Sequence, residues 1–326
     1  MADAICMGEL LIDFVPVTTG TDLVTATAFH KAPGGAPANV AVGLARFGVK
    51  SALMGSVGDD GFGRFLVKTL TDDNVDVSLL RRSSRNRTPL AFVSLAEDGE
   101  REFLFYGDIS AGFSQDDVDF QAIERARLLH FGSIGLIPEP SCTATLLAVD
   151  AARAKGLHVS FDANLRLDLW PTADAAREAI REGIERASIV KLSEEELEFL
   201  TGTTDPVAGV AALRHAGTAL IVVTHGGKGC TFVTAEAHGR VPGFKVQPVD
   251  TTGAGDAFVA GLLAGLLEGG DAPLTPERLY TMCRFANAAG ALATTQRGAI
   301  PALPTRAEAM KLIETSPAPA IQEVSP

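Results

Sequence analysis

Short apolar runs that alternate with amphipathic stretches along the whole chain leave few folds open to it. Ala4–Gly8, Ser51–Val57, Leu128–Phe131, His158–Phe161, Ile189–Leu192 and Leu220–Thr224 read as buried strands. Helical patterns with clear punctuation lie between them. One opens at Pro37 and ends at Gly48, and a second runs from about Ser141 to Lys155, before Gly156. Two more cover about Thr172–Ala187 and Ser193–Leu200, the latter closed by Gly202. This rhythm predicts a mostly parallel sheet covered by helices on both faces. At 326 residues, 46% of them hydrophobic, the chain can bury a large core, as one big α/β domain or two ordinary ones.

Two segments break the rhythm. Asp22–Lys31 and Leu90–Tyr106 read as strands without intervening helices, the second with a hairpin signal at Glu97-Asp98-Gly99-Glu100. A small sheet standing off the main one is a natural lid over a site. Phe92, Phe103, Phe105 and Tyr106 crowd aromatics into it, which points to a homodimer paired through the lid. The Pro- and Ala-rich tail, 316–326, is expected to lack structure.

Charge and cysteines narrow the class. With 40 acidic against 28 basic residues, the net charge of −12 disfavours nucleic-acid and membrane-surface binding. Cys6, Cys142, Cys230 and Cys283 are scattered, so buried free thiols are expected, with no zinc or redox pair. No secretory leader opens the chain and no apolar run suffices for a membrane span, so a cytoplasmic enzyme is expected.

The most informative stretch is Val249-Asp250-Thr251-Thr252-Gly253-Ala254-Gly255-Asp256-Ala257-Phe258, which opens an apolar helix. Free N–H groups from Gly253 to Asp256 at a helix N-terminus would form an anion hole. Asp256 would stand beside it, placed to take a proton from a hydroxyl. A base and a phosphate cradle in one turn suit phosphoryl transfer, although an Asp that merely favours the helix dipole would look the same. Gly226-Gly227-Lys228-Gly229 lacks the rest of a P-loop, and Phe258 stands where a dinucleotide fingerprint needs its third glycine. A dehydrogenase is therefore disfavoured.

Gly34-Gly35-Ala36-Pro37-Ala38-Asn39 opens another helix, and Asp13 is expected to end the first strand. A carboxylate and an amide reaching one spot suit a polyhydroxyl ligand. Asp162, Asn164 and Arg166 would share a face if the strand before them continued extended, with Arg166 either bridging phosphate oxygens or making a surface ion pair. Thr224 to Gly229 is either a nucleotide loop or a plain turn.

Together these stretches resemble the ribokinase-like (PfkB) carbohydrate kinases, and its fructokinases most. Gly8 to Pro16, Pro33 to Ala41, Phe161 to Arg166, Trp170-Pro171 and Asp250 to Phe258 match in order along nearly the whole chain. The resemblance implies one Rossmann-like three-layer αβα domain over 1–315, with a β-sheet lid from about 14–33 and 88–110. It implies Asp256 as the base, Gly253, Ala254 and Gly255 as the anion hole, and Arg166 at the transferring phosphate. Asp13, Gly34, Gly35, Asn39 and Phe105 would contact the sugar. Thr224, Gly226, Gly227, Gly229 and Asn287 would line an ATP pocket. Glu194 would act on Mg2+ through water, and Lys191, standing where the family has Asn, would touch phosphate. Asp250, Thr252 and Gly298 match a monovalent-cation (K+) site.

The expected reaction is ATP-dependent phosphorylation of a ketohexose, most simply fructose. A 2-keto-3-deoxygluconate kinase or ribokinase is the alternative, and a non-catalytic sugar- or nucleoside-binding regulator the rival from another class. Gly107-Asp108, where fructokinases often carry a basic residue, argues against fructose. The scarcity of cations there, Arg101 apart, argues against an acid sugar.

Overall fold

The structure is a computed structural model that describes residues 2–18, 20–95, 101–316 and 322–325, with the side chains at 94–95, 101–103 and 322–325 left aside. The hairpin turn Glu97–Glu100 and the Arg101 side chain lie outside what is described.

Among the described residues the chain order begins β1 (Ala4–Met7), β2 (Leu11–Pro16), β3 (Phe29–Gly34), α1 (Ala36–Arg46), β4 (Ser51–Gly58), α2 (Gly61–Asp72) and β5 (Leu80–Ser83). It continues with β6 (Leu90–Leu95), β7 (Arg101–Tyr106), α3 (Phe120–Arg125), β8 (Leu128–Gly132), α4 (Ser141–Ala154), β9 (His158–Asp162), α5 (Ala173–Arg186) and β10 (Ile189–Ser193). After α6 (Glu194–Thr201), α7 (Pro206–Leu213) and β11 (Leu220–Thr224) come β12 (Gly229–Val233), β13 (His238–Pro242), α8 (Ala254–Glu268), α9 (Pro276–Ala293), α10 (Arg306–Thr315) and β14 (Gln322–Ser325).

The main sheet runs β5-β4-β1-β8-β9-β10-β11 in parallel, then turns antiparallel through β12, β13 and β14. Its inner strands are apolar on both faces, as a sheet between two helical layers requires. Alternation decides which layer each residue joins. Ala4 and Cys6 of β1 pack with α1, α8 and α9, whereas Ile5 and Met7 pack with α4, α5 and α6. The fold is the expected three-layer α/β architecture with a separate small sheet. No helix among the described residues is long and apolar enough to cross a membrane.

The small sheet, ordered β3-β2-β6-β7, differs in detail from the expectation. Asp13 does not end the first strand. β1 stops at Met7, and after the turn at Gly8–Leu10 the chain crosses into the second sheet, where Asp13 sits third in β2. The strand expected at Asp22–Lys31 starts later, at Phe29, and pairs to Gly34. Polar residues instead close local turns, the Asp22 carboxylate accepting the Thr25 N–H and hydroxyl and the Thr21 hydroxyl donating to the Thr18 carbonyl. Within the tail expected to lack structure, Gln322–Ser325 pairs with β13.

Candidate active site

The site gathers at the carboxyl ends of the parallel strands, where two helix N-termini converge. α1 and α8 approach closely because Gly43 faces Ala260; a β-carbon on Gly43 would lie 2.6 Å from that of Ala260. One turn earlier on each helix, the contact becomes polar. Asn39 Nδ2 donates to Asp256 Oδ2 at 2.7 Å, with both residues buried. The Asn39 side-chain oxygen, Oδ1, is buried and has no hydrogen-bond partner among the described residues, so an acceptor is left for a ligand hydroxyl.

Gly253, at φ 76°, is the N-cap of α8, a left-handed conformation that glycine adopts without strain. Ala254 N–H bonds Thr251 O and Ala257 N–H bonds Gly253 O. The N–H groups of Gly255 and Asp256, between them, are first-turn donors with no intrahelical partner four residues back, and they suit an anion. Burial pushes the Asp256 carboxyl up to about 6, with the Asn39 hydrogen bond pulling it back down. Asp162 raises it further, while Lys191 and Arg166 lower it.

Asp13, Ala91 and Phe105 stand side by side across three strands of the small sheet and share a face. A β-carbon on Gly34 would strike the Asp13 carboxylate, which places that carboxylate over the turn opening α1. The expected sugar contacts Asp13, Gly34, Gly35 and Asn39 are thus neighbours. Beyond Phe105, the Asp108 carboxylate is used within its own loop. It accepts the Ser110 N–H at 3.0 Å and hydroxyl at 2.7 Å, the Gly112 N–H at 2.9 Å and Asn86 Nδ2 at 3.2 Å.

On the other side of α8's N-terminus lies a cavity of about 630 Å3. Thr224, Gly226, Gly227, Gly229, Asn287 and Gly255 are on its wall. The glycines form the tight turn from β11 to β12, and Asn287 Nδ2 donates to the carbonyls of Val241 and Pro242. A cavity of this size suits a nucleotide. Glu194 sits at the same end of the sheet, partly exposed and 3.6 Å from His225 Nδ1. Asp250 ties two loops together, with Oδ1 accepting the N–H and hydroxyl of Thr252 and Oδ2 the Gly298 N–H at 2.9 Å.

The shared face expected for Asp162, Asn164 and Arg166 is not there. β9 ends at Asp162, whose Oδ1 accepts the Asn164 N–H, and Asn164 turns to φ 34°, so strand alternation stops. The Arg166 charge still reaches the electrostatic neighbourhood of Asp256. Lys191, expected at phosphate, is clamped between two carboxylates, 3.0 Å from Asp162 Oδ1 and 3.9 Å from Glu196 Oε2. Its ammonium nevertheless lies under the α8 turn, 3.5 Å from where a β-carbon on Gly255 would sit. Sequence reasoning missed Glu9 and Glu196. Glu9 follows Gly8 just past the end of β1, and Glu196 stands three residues after Ser193 in a Ser-x-x-Glu capping box; those are the signals that mark them.

This arrangement defines a phosphotransferase acting on an alcohol: a buried carboxylate beside helix N–H donors, with Asp13, Asn39 and the Gly34-Gly35 turn on one side and a nucleotide-sized cavity on the other. The pfkB family carbohydrate kinase profile matches residues 1–306, and the chain belongs to that family. It is 51% identical over 306 residues to a probable chloroplastic fructokinase-6 of Arabidopsis thaliana, covering 93% of this chain and 80% of that protein. It is 48% identical over 315 residues to fructokinase-1 of Zea mays, covering 95% of this chain and 97% of that one. Among solved structures, fructokinase from Xylella fastidiosa with bound ATP superposes with a TM-score of 0.88 at 34% identity, over 96% and 99% of the two chains. Fructokinase from Vibrio cholerae O395 with fructose, ADP and calcium ion gives 0.86 at 38% identity, over 96% and 99%.

Proposed function

We propose that this chain is an ATP-dependent fructokinase, moving the γ-phosphoryl group of ATP to the primary hydroxyl of fructose and releasing ADP and fructose 6-phosphate. The observation that carries the reading is the buried Asn39–Asp256 pair at the α8 N-terminus, between the polyol face and the large cavity. Asp13, Gly34, Gly35, Asn39 and Phe105 hold the sugar, and the small sheet, about 14–33 and 88–110, acts as its lid. Asp256 takes the hydroxyl proton as that oxygen bonds to the γ-phosphorus and the bond from the γ-phosphorus to the bridging oxygen breaks. The N–H groups of Gly255 and Asp256, with Gly253 at the N-cap, receive the charge developing on the phosphoryl oxygens, and Ala254 joins them only by giving up its bond to Thr251 O. Thr224 to Gly229 and Asn287 hold the nucleotide. Glu194 would hold Mg2+ through water, and the Asp250–Thr252–Gly298 loops would hold K+; when bound, such ions neutralise phosphate charge.

Arg166, with its charge felt at both Asp256 and Glu9, supports the transferring phosphoryl group. Arg166→Ala is expected to lower kcat by roughly 10²-fold while the fructose KM changes little, because developing charge is stabilised mainly in the transition state. A change in sugar KM alone would move Arg166 into the sugar pocket.

Asp108 resolves the tension over the sugar. Its carboxylate is engaged by Ser110, Gly112 and Asn86, so both oxygens are held within the protein and Asp108 is not an argument against a neutral ketohexose. Coupled ADP release measured with fructose, ribose and 2-keto-3-deoxygluconate tests the reading. The expected order places fructose highest in kcat/KM; a preference for the acid sugar would overturn it.

A further inference from the structure

We infer that Glu9 is a positioning residue for the phosphoryl transfer: from the turn between β1 and β2, its carboxylate holds the first turn of α1, and with it Asn39, in register with Asp256. The inference rests on Asp256 being the base.

α1 has no side-chain cap of its own, because its N-cap residue is Gly35. Glu9 supplies one from 27 residues earlier, its Oε1 accepting the Ala36 N–H at 2.9 Å. A carboxylate there satisfies a first-turn donor and complements the helix dipole. The joint is tight. A β-carbon on Gly35 would strike the Glu9 carbonyl, and one on Gly8 would lie 2.7 Å from Pro37. Three residues beyond Ala36, Asn39 meets Asp256 at 2.7 Å. The position of Asn39 along α8 is therefore set where Glu9 grips the helix.

A serine or aspartate at position 35 would cap α1 more simply, but Gly35 adopts φ 110°, which disfavours any side chain. The cap must come from elsewhere, and here it comes from a carboxylate only 6% exposed. Burying such a group is costly unless it is satisfied. Besides Ala36, Glu9 borders a small cavity of about 20 Å3 whose wall is mostly apolar, with Met7, Phe113 and Ile134 on it. Burial pushes the Glu9 carboxyl up to about 7, its own and the Ala36 backbone N–H groups oppose that, and Asp256 and Arg166 are the charges that face it. Ionised or neutral, the carboxyl keeps an oxygen for Ala36. The anchor therefore depends on an acceptor atom, not on charge, and Glu9→Gln should preserve it.

The test compares Glu9→Ala, Glu9→Gln and Ala36→Pro in the full-length enzyme, with folding followed by thermal melting and ATP binding by calorimetry. Ala36→Pro removes the donor and sets a ring carbon where the amide hydrogen met Glu9 Oε1, breaking the anchor from the other side at a first-turn position where the helix itself tolerates proline. Glu9→Ala and Ala36→Pro are expected to lower kcat/KM for the sugar by about 10- to 100-fold, as a small misplacement of reacting groups does, with ATP affinity unchanged. Glu9→Gln should recover most of that loss. Unchanged kcat/KM in folded Glu9→Ala or Ala36→Pro overturns the role. So does damage in Glu9→Gln equal to that in Glu9→Ala, or a parallel loss of ATP affinity that would mark general loosening. The same assay on Asp256→Asn separates this failure from failure of the base: full turnover there withdraws both.

Discussion

Asp256→Asn is expected to abolish nearly all turnover while making the protein more stable. A positioned general base contributes roughly 10²–10⁴-fold, and kcat should fall by about that factor with ATP binding retained. The stability gain follows from burial. The carboxyl of Asp256 stands at about 6 in the fold against an ordinary value of 3.8. A carboxyl raised in the folded state favours the protonated form there, so ionisation costs stability as the pH climbs from about 4 to about 6 and costs it fully above that. The cost is on the order of 2–3 kcal/mol, and an asparagine, neutral at every pH, does not incur it. Its amide oxygen still accepts the Asn39 hydrogen bond. Melting curves at pH 8 should thus show Asp256→Asn above the parent protein, with the gap closing below pH 4. The parent's kcat/KM for the sugar should fall as the pH drops through about 6, because only the ionised carboxylate takes a proton. Near-normal turnover in the folded variant, or an acid limb absent down to pH 5, would remove Asp256 from the chemistry.

Much of this fold was legible because burial on both sheet faces writes itself as short apolar runs. All six strands expected in the main sheet are there, and the helices at α1, α4, α5 and α6 lie within one or two residues of their expected ends. The Gly253–Asp256 turn was legible for a different reason, since two glycines before an acid at a helix start have few uses. What stayed hidden involves partners distant in sequence. Nothing local says that Gly43 meets Ala260, although that contact brings Asn39 to Asp256. β12 and β13 were passed over because they turn antiparallel after a run of parallel strands. The face shared by Asp162 and Arg166 failed at one residue: Asn164 tolerates a positive φ, and an Asx turn there ends the strand. Glu9 sat in plain view between Gly8 and Leu10, but its meaning depends on Gly35 needing a cap.

The Lys191 triad carries the largest expected stability effect. Burial alone would lower the lysine pKa, yet Asp162 and Glu196 outweigh it and hold the ammonium above its ordinary 10.5. A base raised in the fold contributes stability fully below about pH 10.5, so the contribution is constant across the neutral range. Lys191→Met keeps the volume and removes the charge, leaving buried carboxylates without their cation, and should destabilise by about 3–5 kcal/mol in urea unfolding at pH 7. The two acids should not share that loss equally. Glu196 has other donors, with the Leu165 N–H on Oε1 at 2.8 Å and the Ser193 N–H on Oε2 at 2.7 Å. Asp162, only 3% exposed, keeps the Asn164 N–H at 3.2 Å on Oδ1, the same oxygen that Lys191 binds. Pairing Lys191→Met with Asp162→Asn should therefore recover most of the lost stability, because the stranded charge is removed with its partner. Pairing it with Glu196→Gln should recover little. Equal rescue by the two second changes would mean the charge is shared, and a single-variant loss below about 1 kcal/mol would mean that water reaches the triad and screens it.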